Sequence, residues 1–249
     1  MSVLDELVAR ARARAAALPD FEQAAPSARA GFAKALAGRE RLSVIAEFKR
    51  GSPSVGAIDV QADPRLRIDQ YVRAGAAAIS VLTEPSRFLG SPDDLRLAAA
   101  RTALPLLLKD FVVAPVQVRQ AAQLGASAVL LIVRCLTEAE LADLSLEARR
   151  LGLDVLIECH EPEEIERALR IPGAVIGVNN RDLSTLEIDR ERAPRLLARV
   201  PPNRIAVAES GYETLEQLEE LRGRVDAVLV GTALMRAPDP AALILEVNR

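Results

Sequence analysis

The sequence predicts an α/β fold, a (β/α)8 TIM barrel with an N-terminal helical extension, from three observations. Eight short apolar runs follow residue 42, helical segments separate them, and proline and glycine mark the starts and ends of many of these helices. Continuously apolar strands that alternate with amphipathic helices indicate a parallel sheet covered on its outer face. Eight such units in roughly 200 residues match the usual size of this barrel.

The apolar runs are the predicted strands, 44–46, 77–82, 104–108, 128–133, 155–157, 174–178, 205–208 and 227–230. The predicted helices lie between and after them, at 64–74, 92–101, 115–124, 138–151, 162–169, 191–198, 212–221 and 240–247. An open, doubly wound parallel sheet is the alternative arrangement of such units. It is disfavoured because the first strand lacks the Gly-x-Gly-x-x-Gly turn that these sheets often carry there.

The segment before the first strand has helical rather than strand character. Apolar residues recur at helical spacing near Leu4, and a second amphipathic piece covers 28–37. We expect one domain, 1–249. In it, residues 1–42 form a helical extension that covers the active-site mouth, and residues 43–249 form the barrel.

Bulk composition excludes several classes of protein. The net charge is −3 and charges of both signs are mixed, so we expect no nucleic-acid partner. Cys135 and Cys159 are too few for a disulfide scaffold and lack metal-ligand spacing, so we expect a cytoplasmic protein with no metal and no cofactor. The N-terminus carries charges every few residues and has no apolar signal or membrane segment, so we expect no membrane partner.

Charged side chains collect at the C-terminal ends of the predicted strands, where barrels of this kind carry their active sites. Glu47 and Lys49 end strand one, Lys109 ends strand three, Glu158 ends strand five and Glu209 ends strand seven. Only three of the 32 Lys and Arg residues are lysine, and a lysine can give up its proton where an arginine cannot. The pattern indicates acid–base chemistry; the structural alternative is a set of ion pairs that lock the barrel.

Small residues follow the last two strands. Ser210 and Gly211 come after strand seven, and Gly231 and Thr232 come after strand eight. Backbone N–H groups in these two loops hold a phosphate in many barrels, and Ser52 in the loop after strand one could complete the cradle. The alternative is that these glycines form ordinary tight turns.

His160, the single histidine, follows Glu158 by two positions and has no Ser or Cys partner at a strand end. We interpret it as structural or peripheral. We also expect Asp182 to brace Arg181 or to cap a turn rather than to contact a ligand.

Seven motifs occur in order along the chain from about residue 42 to its end. They are Ile-Ala-Glu-Phe-Lys-Arg-Gly-Ser-Pro-Ser, Ile-Ser-Val-Leu-Thr-Glu with Phe-Leu-Gly after it, Leu-Leu-Lys-Asp-Phe, Leu-Ile-Glu-Cys-His, Gly-Val-Asn-Asn-Arg-Asp-Leu, Ala-Glu-Ser-Gly and Val-Gly-Thr-Ala-Leu-Met. In this order they resemble the indole-3-glycerol phosphate synthase family. The resemblance implies a (β/α)8 barrel with a helical extension. It also implies ring closure, decarboxylation and dehydration of 1-(2-carboxyphenylamino)-1-deoxyribulose 5-phosphate in tryptophan biosynthesis.

The resemblance further implies catalytic roles for the residues at the strand ends. Lys109 would be the general acid that protonates the C2 oxygen of the substrate, and Glu158 would be the general base. Lys49 would hold the substrate carboxylate or phosphate, or serve as the second acid. Glu47 and Glu209 would position the two lysines.

The remaining residues implied by the resemblance bind the substrate. Asn179 and Arg181 would orient it. The phosphate would lie against Ser52, Gly211, Gly231 and Thr232, with Ser210 nearby, and the aromatic ring would lie against Phe88, Phe111, Leu131 and Leu183.

Two other functions stay open at this point. One is a phosphate-binding barrel isomerase of tryptophan or histidine biosynthesis, but such enzymes carry a Cys/Asp or Asp/Asp pair where this chain has Glu47 and Glu158. The other is a non-catalytic ligand-binding barrel, which has no need of lysines at two strand ends. The expected partner is a phosphorylated small molecule, and the chain is expected to be a monomer or a weak homodimer.

Overall fold

The computed structural model describes residues 2–21, 29, 31–38, 40–182 and 184–248. Eight parallel strands close into a barrel in which each strand pairs with its neighbours in sequence and the first pairs with the last. They are β1 (Ser43–Phe48), β2 (Ala78–Leu82), β3 (Leu106–Lys109), β4 (Ala128–Ile132), β5 (Asp154–Cys159), β6 (Val175–Asn179), β7 (Ala206–Glu209) and β8 (Ala227–Val230). The predicted (β/α)8 barrel is therefore confirmed.

Helices lie around the barrel and at its two ends. In chain order they are α1 (Val3–Ala17), α2 (Phe32–Leu36), α3 (Pro64–Arg73), α4 (Pro92–Arg101), α5 (Pro115–Gln123), α6 (Glu138–Arg150), α7 (Pro162–Leu169), α8 (Arg192–Leu197), α9 (Leu215–Glu219), α10 (Thr232–Arg236) and α11 (Ala241–Val247). Helices are present at all the predicted positions after β1, although 212–221 shortens to α9. In the part of the chain that the structure describes, no helix is long and apolar enough to cross a membrane.

Two short elements differ from the sequence prediction. After β1, Gly51–Ser52 pairs antiparallel with Gly56–Ala57 to form a small hairpin where a loop was expected. After β8, the helix α10 begins at Thr232. Both elements are too short to show a repeat of apolar residues, and glycine and serine favour turns over strands, so neither carried a sequence signal.

Proline and glycine mark helix ends for physical reasons. Helices α3, α4, α5 and α7 begin with proline, whose missing N–H would have no partner in the first turn. Gly75 and Gly125 follow α3 and α5 with φ of +82° and +84°, which glycine adopts without steric strain. These turns end the helices and lead the chain back to the next strand.

Inward side chains of neighbouring strands lie at the same height in the barrel. Glu47 of β1 pairs with Ser80 of β2, and Leu82 of β2 pairs with Lys109 of β3. Side chains alternate between the two faces of a strand, so Phe48 points away from the lumen, where it is buried. The register therefore presents Glu47 and Lys109 to the same interior space.

The segment before the barrel reaches both of its ends. Helix α1 lies at the C-terminal ends of the strands, where Arg14 contacts Glu84 and Asp110. Helix α2 lies at the opposite end, where the N–H of Ala33 donates to Asp154, the first residue of β5. Within the described extension, α1 is therefore the part that contacts the mouth.

Candidate active site

A cavity of about 720 Å³, a volume that includes solvent space at its open side, lies at the C-terminal ends of the strands. The candidate residues that line it are Glu47, Lys49, Ser52, Phe88, Lys109, Phe111, Glu158, Asn179, Arg181 and Ser210. Glu209 lies behind Lys109 and is fully buried. These candidate residues come from six of the eight strands and the loops that follow them.

Lys109 occupies the centre of a buried cluster of charges. Its Nζ lies 3.4 Å from Oε2 of Glu158 and 3.3 Å from Oε2 of Glu209. Both carboxylate side chains are 1% exposed, so the cation is held between two acids away from bulk water. Gly177 on β6 makes room for this arrangement, because a Cβ there would overlap the carboxylate of Glu209.

The three groups of this cluster differ in protonation. Burial, reinforced by the neighbouring Glu158, outweighs the attraction of Lys109 and raises the pKa of Glu209 to about 8. Burial also acts to raise the pKa of Glu158, but Lys109 and His160 outweigh it, and this pKa falls below its ordinary value. Burial acts to lower the pKa of Lys109, but the surrounding acids outweigh it and the net shift is upward. Near neutral pH the site therefore holds a cationic Lys109, an ionised Glu158 and a protonated Glu209.

Lys49 has a simpler environment. Its Nζ lies 2.9 Å from Oε1 of Glu47, and its side chain is 14% exposed. Ser80 donates to the other oxygen of Glu47 at 3.4 Å. Gly231 packs against this pair, and a Cβ there would overlap Glu47 and crowd Lys49. Here one carboxylate compensates one cation.

An apolar wall is formed by Phe88 and Phe111, whose ring centroids lie 6.4 Å apart with the planes tilted by 48°. A buried carboxylate supports each residue. Glu84 accepts the N–H of Phe88 at 3.2 Å, and Asp110 accepts the N–H of Phe111 at 2.7 Å. Arg14 of α1 joins the two supports, at 3.3 Å from Glu84 and 2.5 Å from Asp110. The N-terminal extension thus holds the wall in place.

Leu130 and Ile132 also line the cavity, whereas Leu131 does not. Leu131 is fully buried and pairs in register with Ile157, one position before the inward-facing Glu158. Successive side chains on a strand point to opposite faces, so Leu131 faces the outer helices. The expected contact of Leu131 with a ligand is therefore wrong, and Leu130 and Ile132 take that place in the cavity.

A smaller lobe of about 360 Å³ adjoins the cavity and is lined by the small residues that follow β7 and β8. Ser210 and Gly211 turn the chain with φ of +66° and +86°. A Cβ on Gly211 would approach Cγ2 of Ile188 to 2.7 Å, so this turn requires glycine. Gly231 and Thr232 begin α10, whose first N–H groups have no partner within the helix. The lobe can therefore offer backbone donors to an anion.

The other predicted binding residues lie around these two spaces. Arg181 lines both of them, and its guanidinium donates to the carbonyl of Leu186 at 2.9 Å. Asn179 lines the larger cavity and accepts the N–H of Arg181 at 2.9 Å. Ser52 lies on the wall of the larger cavity rather than in the smaller lobe. Leu183, expected to contact an aromatic ring, lies outside the described residues.

Two residues that the sequence placed in supporting roles show specific contacts. His160 is fully buried, with Nε2 at 3.6 Å from Oε1 of Glu158, so it is not peripheral. Asp182 caps a turn, because its Oδ1 accepts the N–H groups of Ser184 at 2.7 Å and Thr185 at 3.2 Å.

The functional residues that sequence reasoning missed are mainly supports. Asp110 directly follows β3 and Glu84 lies two residues after β2, so their location was visible although their contacts with backbone N–H groups were not. Arg14 and Gly177 carried no signal, because the importance of each depends on a partner distant in sequence.

The sequence matches the family model described as indole-3-glycerol phosphate synthase over residues 4–247. The indole-3-glycerol phosphate synthase of Listeria monocytogenes is 41% identical over 253 residues, which cover 100% of this chain and 100% of the relative. The enzyme of that name from Koribacter versatilis is 42% identical over 95% of this chain and 92% of the relative. The one from Deinococcus radiodurans is 47% identical over 81% and 76%, respectively.

Solved structures with a similar fold are more distant in sequence. The 3-hexulose-6-phosphate synthase from Salmonella typhimurium gives a TM-score of 0.67 at 13% identity, covering 83% of this chain and 97% of that one. A tryptophan synthase chain from M. tuberculosis gives 0.63 at 17% identity, covering 84% and 92%. At these identities the likeness shows the barrel fold alone.

Proposed function

The chain belongs to the indole-3-glycerol phosphate synthase family, and we propose that the cavity described above carries out the family reaction. The substrate is 1-(2-carboxyphenylamino)-1-deoxyribulose 5-phosphate, and the product is indole-3-glycerol phosphate, an intermediate of tryptophan biosynthesis. The reaction closes the pyrrole ring and releases CO₂ and water. The enzyme is accordingly a carboxy-lyase.

The observation that carries this assignment is the position of Lys109. Its Nζ lies between Glu158 and Glu209, at the interior end of the cavity. The wall of Phe88 and Phe111 borders the same cavity, and the lobe lined by the turn at Ser210–Gly211 and the start of α10 adjoins it. A substrate with an aromatic ring at one end and a phosphate at the other would place its reacting carbons beside this lysine.

Ring closure requires a proton donor. The aromatic carbon that bears the carboxylate attacks the C2 ketone, and negative charge develops on the ketone oxygen. Lys109 donates a proton to that oxygen, which is the role of a positioned general acid. The ionised Glu158, 3.4 Å away, favours the protonated form of this lysine before the reaction.

The later steps require a base and a second proton. Loss of CO₂ leaves a ring with a C2 hydroxyl, which departs as water once it is protonated. Glu158, the ionised member of the cluster, accepts the proton that the ring loses as the double bond forms. Lys49 lines the same cavity as Glu158, and it either anchors the substrate carboxylate or supplies the second proton.

The smaller lobe is proposed to bind the phosphate. The turn at Ser210–Gly211 and the start of α10 at Thr232 both present backbone N–H groups, and Lys49 and Arg181 add positive charge. Inorganic phosphate should therefore compete with the substrate and raise its apparent KM. A KM that does not respond to phosphate would contradict this placement.

We propose further that the chain acts as a monomer or weak homodimer. Sedimentation at increasing protein concentration tests this. We also propose that residues 1–42 serve the barrel as part of one domain, with α1 supporting the mouth through Arg14. The biosynthetic role of the family supports a cytoplasmic location.

The decisive experiment supplies the purified protein with the substrate and follows indole-3-glycerol phosphate and CO₂ together. We expect the two products to form in equal amounts. An isomerase would convert a sugar phosphate without releasing CO₂, and a non-catalytic barrel would bind the substrate without turnover. Either of these outcomes would refute the assignment.

A further inference from the structure

His160 lies directly after β5, behind the carboxylate of Glu158. Its Nε2 is 3.6 Å from Oε1 of Glu158, and its Nδ1 is 3.7 Å from Oε2 of Glu164 on α7. The side chain of His160 is 0% exposed. Among the described residues, neither ring nitrogen has a hydrogen-bond partner, and neither does Oε1 of Glu158. Buried polar atoms without partners are rare in proteins, so a row of three calls for an explanation.

The two oxygens of Glu158 face different surroundings. Oε2 lies beside Lys109 and the cavity, whereas Oε1 points toward His160. A displacement of less than about 1 Å would bring Nε2 and Oε1 to ordinary hydrogen-bond length, since the distance exceeds that range by less than this amount. The imidazole can thus hold Oε1 of Glu158 while Oε2 faces the substrate.

His160 is itself held from the other side. Glu164 accepts the backbone N–H of His160 at 2.6 Å, and Arg134 donates to Glu164 at 3.1 Å. These contacts fix the carboxylate that faces Nδ1. The ring therefore lies between the carboxylates of Glu158 and Glu164, and Arg134 in turn binds Glu164.

We propose that His160 is a positioning residue that donates a hydrogen bond from Nε2 to Oε1 of Glu158. The proposal rests on the function of Glu158 as the base. The hydrogen bond turns Oε2 toward the substrate, and it favours the ionised form of the carboxylate because a donor stabilises negative charge. His160 acts through Glu158 and makes no contact with the substrate.

Other charged or titratable groups near this pair also affect the pH profile. They are Lys109 on β3, Arg134 and Cys135 after β4, Glu164 on α7, Asp182 after β6 and Glu209 on β7. The substitutions chosen below leave all of them in place except Glu164. A shift of the acidic limb of the profile can therefore be assigned to the contact with Glu158.

The kinetic test compares His160→Leu, which has no donor, with His160→Gln, whose amide can donate. We expect His160→Leu to lower kcat roughly 10- to 100-fold, the factor for one hydrogen bond to a charged group. KM should stay within about twofold, and the acidic limb of kcat should move to higher pH by about one unit. His160→Gln should restore most of kcat and return the limb toward its original position. The proposal would be overturned if the acidic limb of His160→Leu matched that of the wild type. It would also be overturned if the kcat of His160→Gln were as low as that of His160→Leu.

A second test does not depend on how well His160→Leu folds. His160 is the only histidine of the chain, so ¹⁵N NMR of the untagged wild-type protein reads its ring without overlap. We expect a proton on Nε2, and a bare Nε2 at the pH of the assay would refute the contact. Glu164→Gln should also move the acidic limb upward, whereas Glu163→Gln, an exposed neighbour on α7, should leave it unchanged. An unchanged acidic limb in Glu164→Gln would contradict the role of Glu164 in holding His160.

The outcome separates this proposal from the assigned function. If the wild-type protein forms no indole-3-glycerol phosphate, the function of Glu158 fails, whatever the NMR spectrum shows. If the wild type is active and both His160 variants match it in kcat and pH profile, the positioning role alone fails.

Discussion

The carboxylates on the strands at the mouth of the barrel and those at its opposite end have different partners. At the N-terminal end, Asp226 accepts the N–H groups of Ala206 at 2.9 Å and Gly38 at 3.3 Å. Asp154 accepts the N–H of Ala33 at 2.9 Å. These acids accept hydrogen bonds from the backbone and tie the extension and the strands together.

At the C-terminal end, the loop acids Glu84 and Asp110 also accept backbone N–H groups. The three acids on the strands themselves face lysines instead, and they are Glu47, Glu158 and Glu209. Among the described residues, neither oxygen of Glu209 has a hydrogen-bond partner, and one oxygen of Glu158 lacks one as well. Leaving such groups unsatisfied costs stability, and a barrel that only needed to fold would not keep them there. The contrast separates an end that holds the fold together from an end that is arranged for chemistry. Substitutions at four positions test it.

The largest effect is expected from Lys109→Ala. Loss of a positioned general acid typically lowers kcat by about 10²- to 10⁴-fold, and the substrate should still bind, because the wall and the phosphate lobe are intact. Lys109→Arg should fail as well, since arginine does not release its proton. Steady-state kinetics with a substrate-binding measurement test both variants. A turnover near that of the wild type in either variant would remove Lys109 from the acid role.

A smaller effect is expected from Lys49→Ala, which removes a cation with a single acidic partner. We expect a larger rise in KM than fall in kcat, because Lys49 borders both the cavity and the phosphate lobe. The same kinetic measurement applies. A loss of kcat as large as that of Lys109→Ala, at unchanged KM, would instead identify Lys49 as an essential acid.

Glu209→Gln should change the pH dependence of activity. The wild-type enzyme loses the proton of Glu209 as the pH rises through about 8. The new negative charge beside Lys109 makes this lysine a poorer donor, so activity should fall on the alkaline side. Glutamine stays neutral, so the variant should lack this limb. A limb near pH 8 that persists in Glu209→Gln would assign it to another group.

The same variant should change how stability depends on pH. The pKa of Glu209 is 4.5 as a free side chain and about 8 in the fold. Between these values the folded protein keeps a proton that the unfolded chain has released, so the contribution of Glu209 to stability declines as the pH rises. Urea unfolding should therefore show that the free energy of unfolding of Glu209→Gln, relative to that of the wild type, increases between about pH 5 and about pH 8. A constant difference would contradict the raised pKa.

The smallest effect on activity is expected from Asp226→Ala at the other end of the barrel. The N–H groups of Ala206 and Gly38 lose an acceptor, and the free energy of unfolding should fall by about 1–3 kcal/mol. The kcat of the folded variant should match that of the wild type. Denaturant unfolding and the standard assay check the two halves of this prediction. A lower kcat at full folding would show that the two ends are coupled.

Much of the fold could be predicted because strands and helices leave different periodic patterns. The apolar runs located all eight strands, and prolines such as Pro92 and Pro115 marked helix starts. The hairpin at Gly51–Ser52 and the helix α10 were not predicted, because each is shorter than the period that would reveal it.

The candidate site was predictable only in part. Lys109, Glu158 and Glu209 could be placed because they end strands whose C-terminal ends meet in any barrel. Leu131 was assigned to the wrong face, since a continuously apolar strand does not show which side chains point inward. The sequence leaves His160 as structural or peripheral, because its contact with Glu158 gives no sequence pattern.

The sequence by itself determined the barrel, its strand ends and the kinds of group gathered there, because these follow from local periodicity and from the order of residues along the chain. Only the tertiary structure decided which charged side chains contact one another. Lys109 lies between two acids and Lys49 beside one, and Arg14 reaches the loops of the mouth from the far N-terminal helix. Burial and distance set the protonation of Glu209, and neither quantity exists until the barrel has closed.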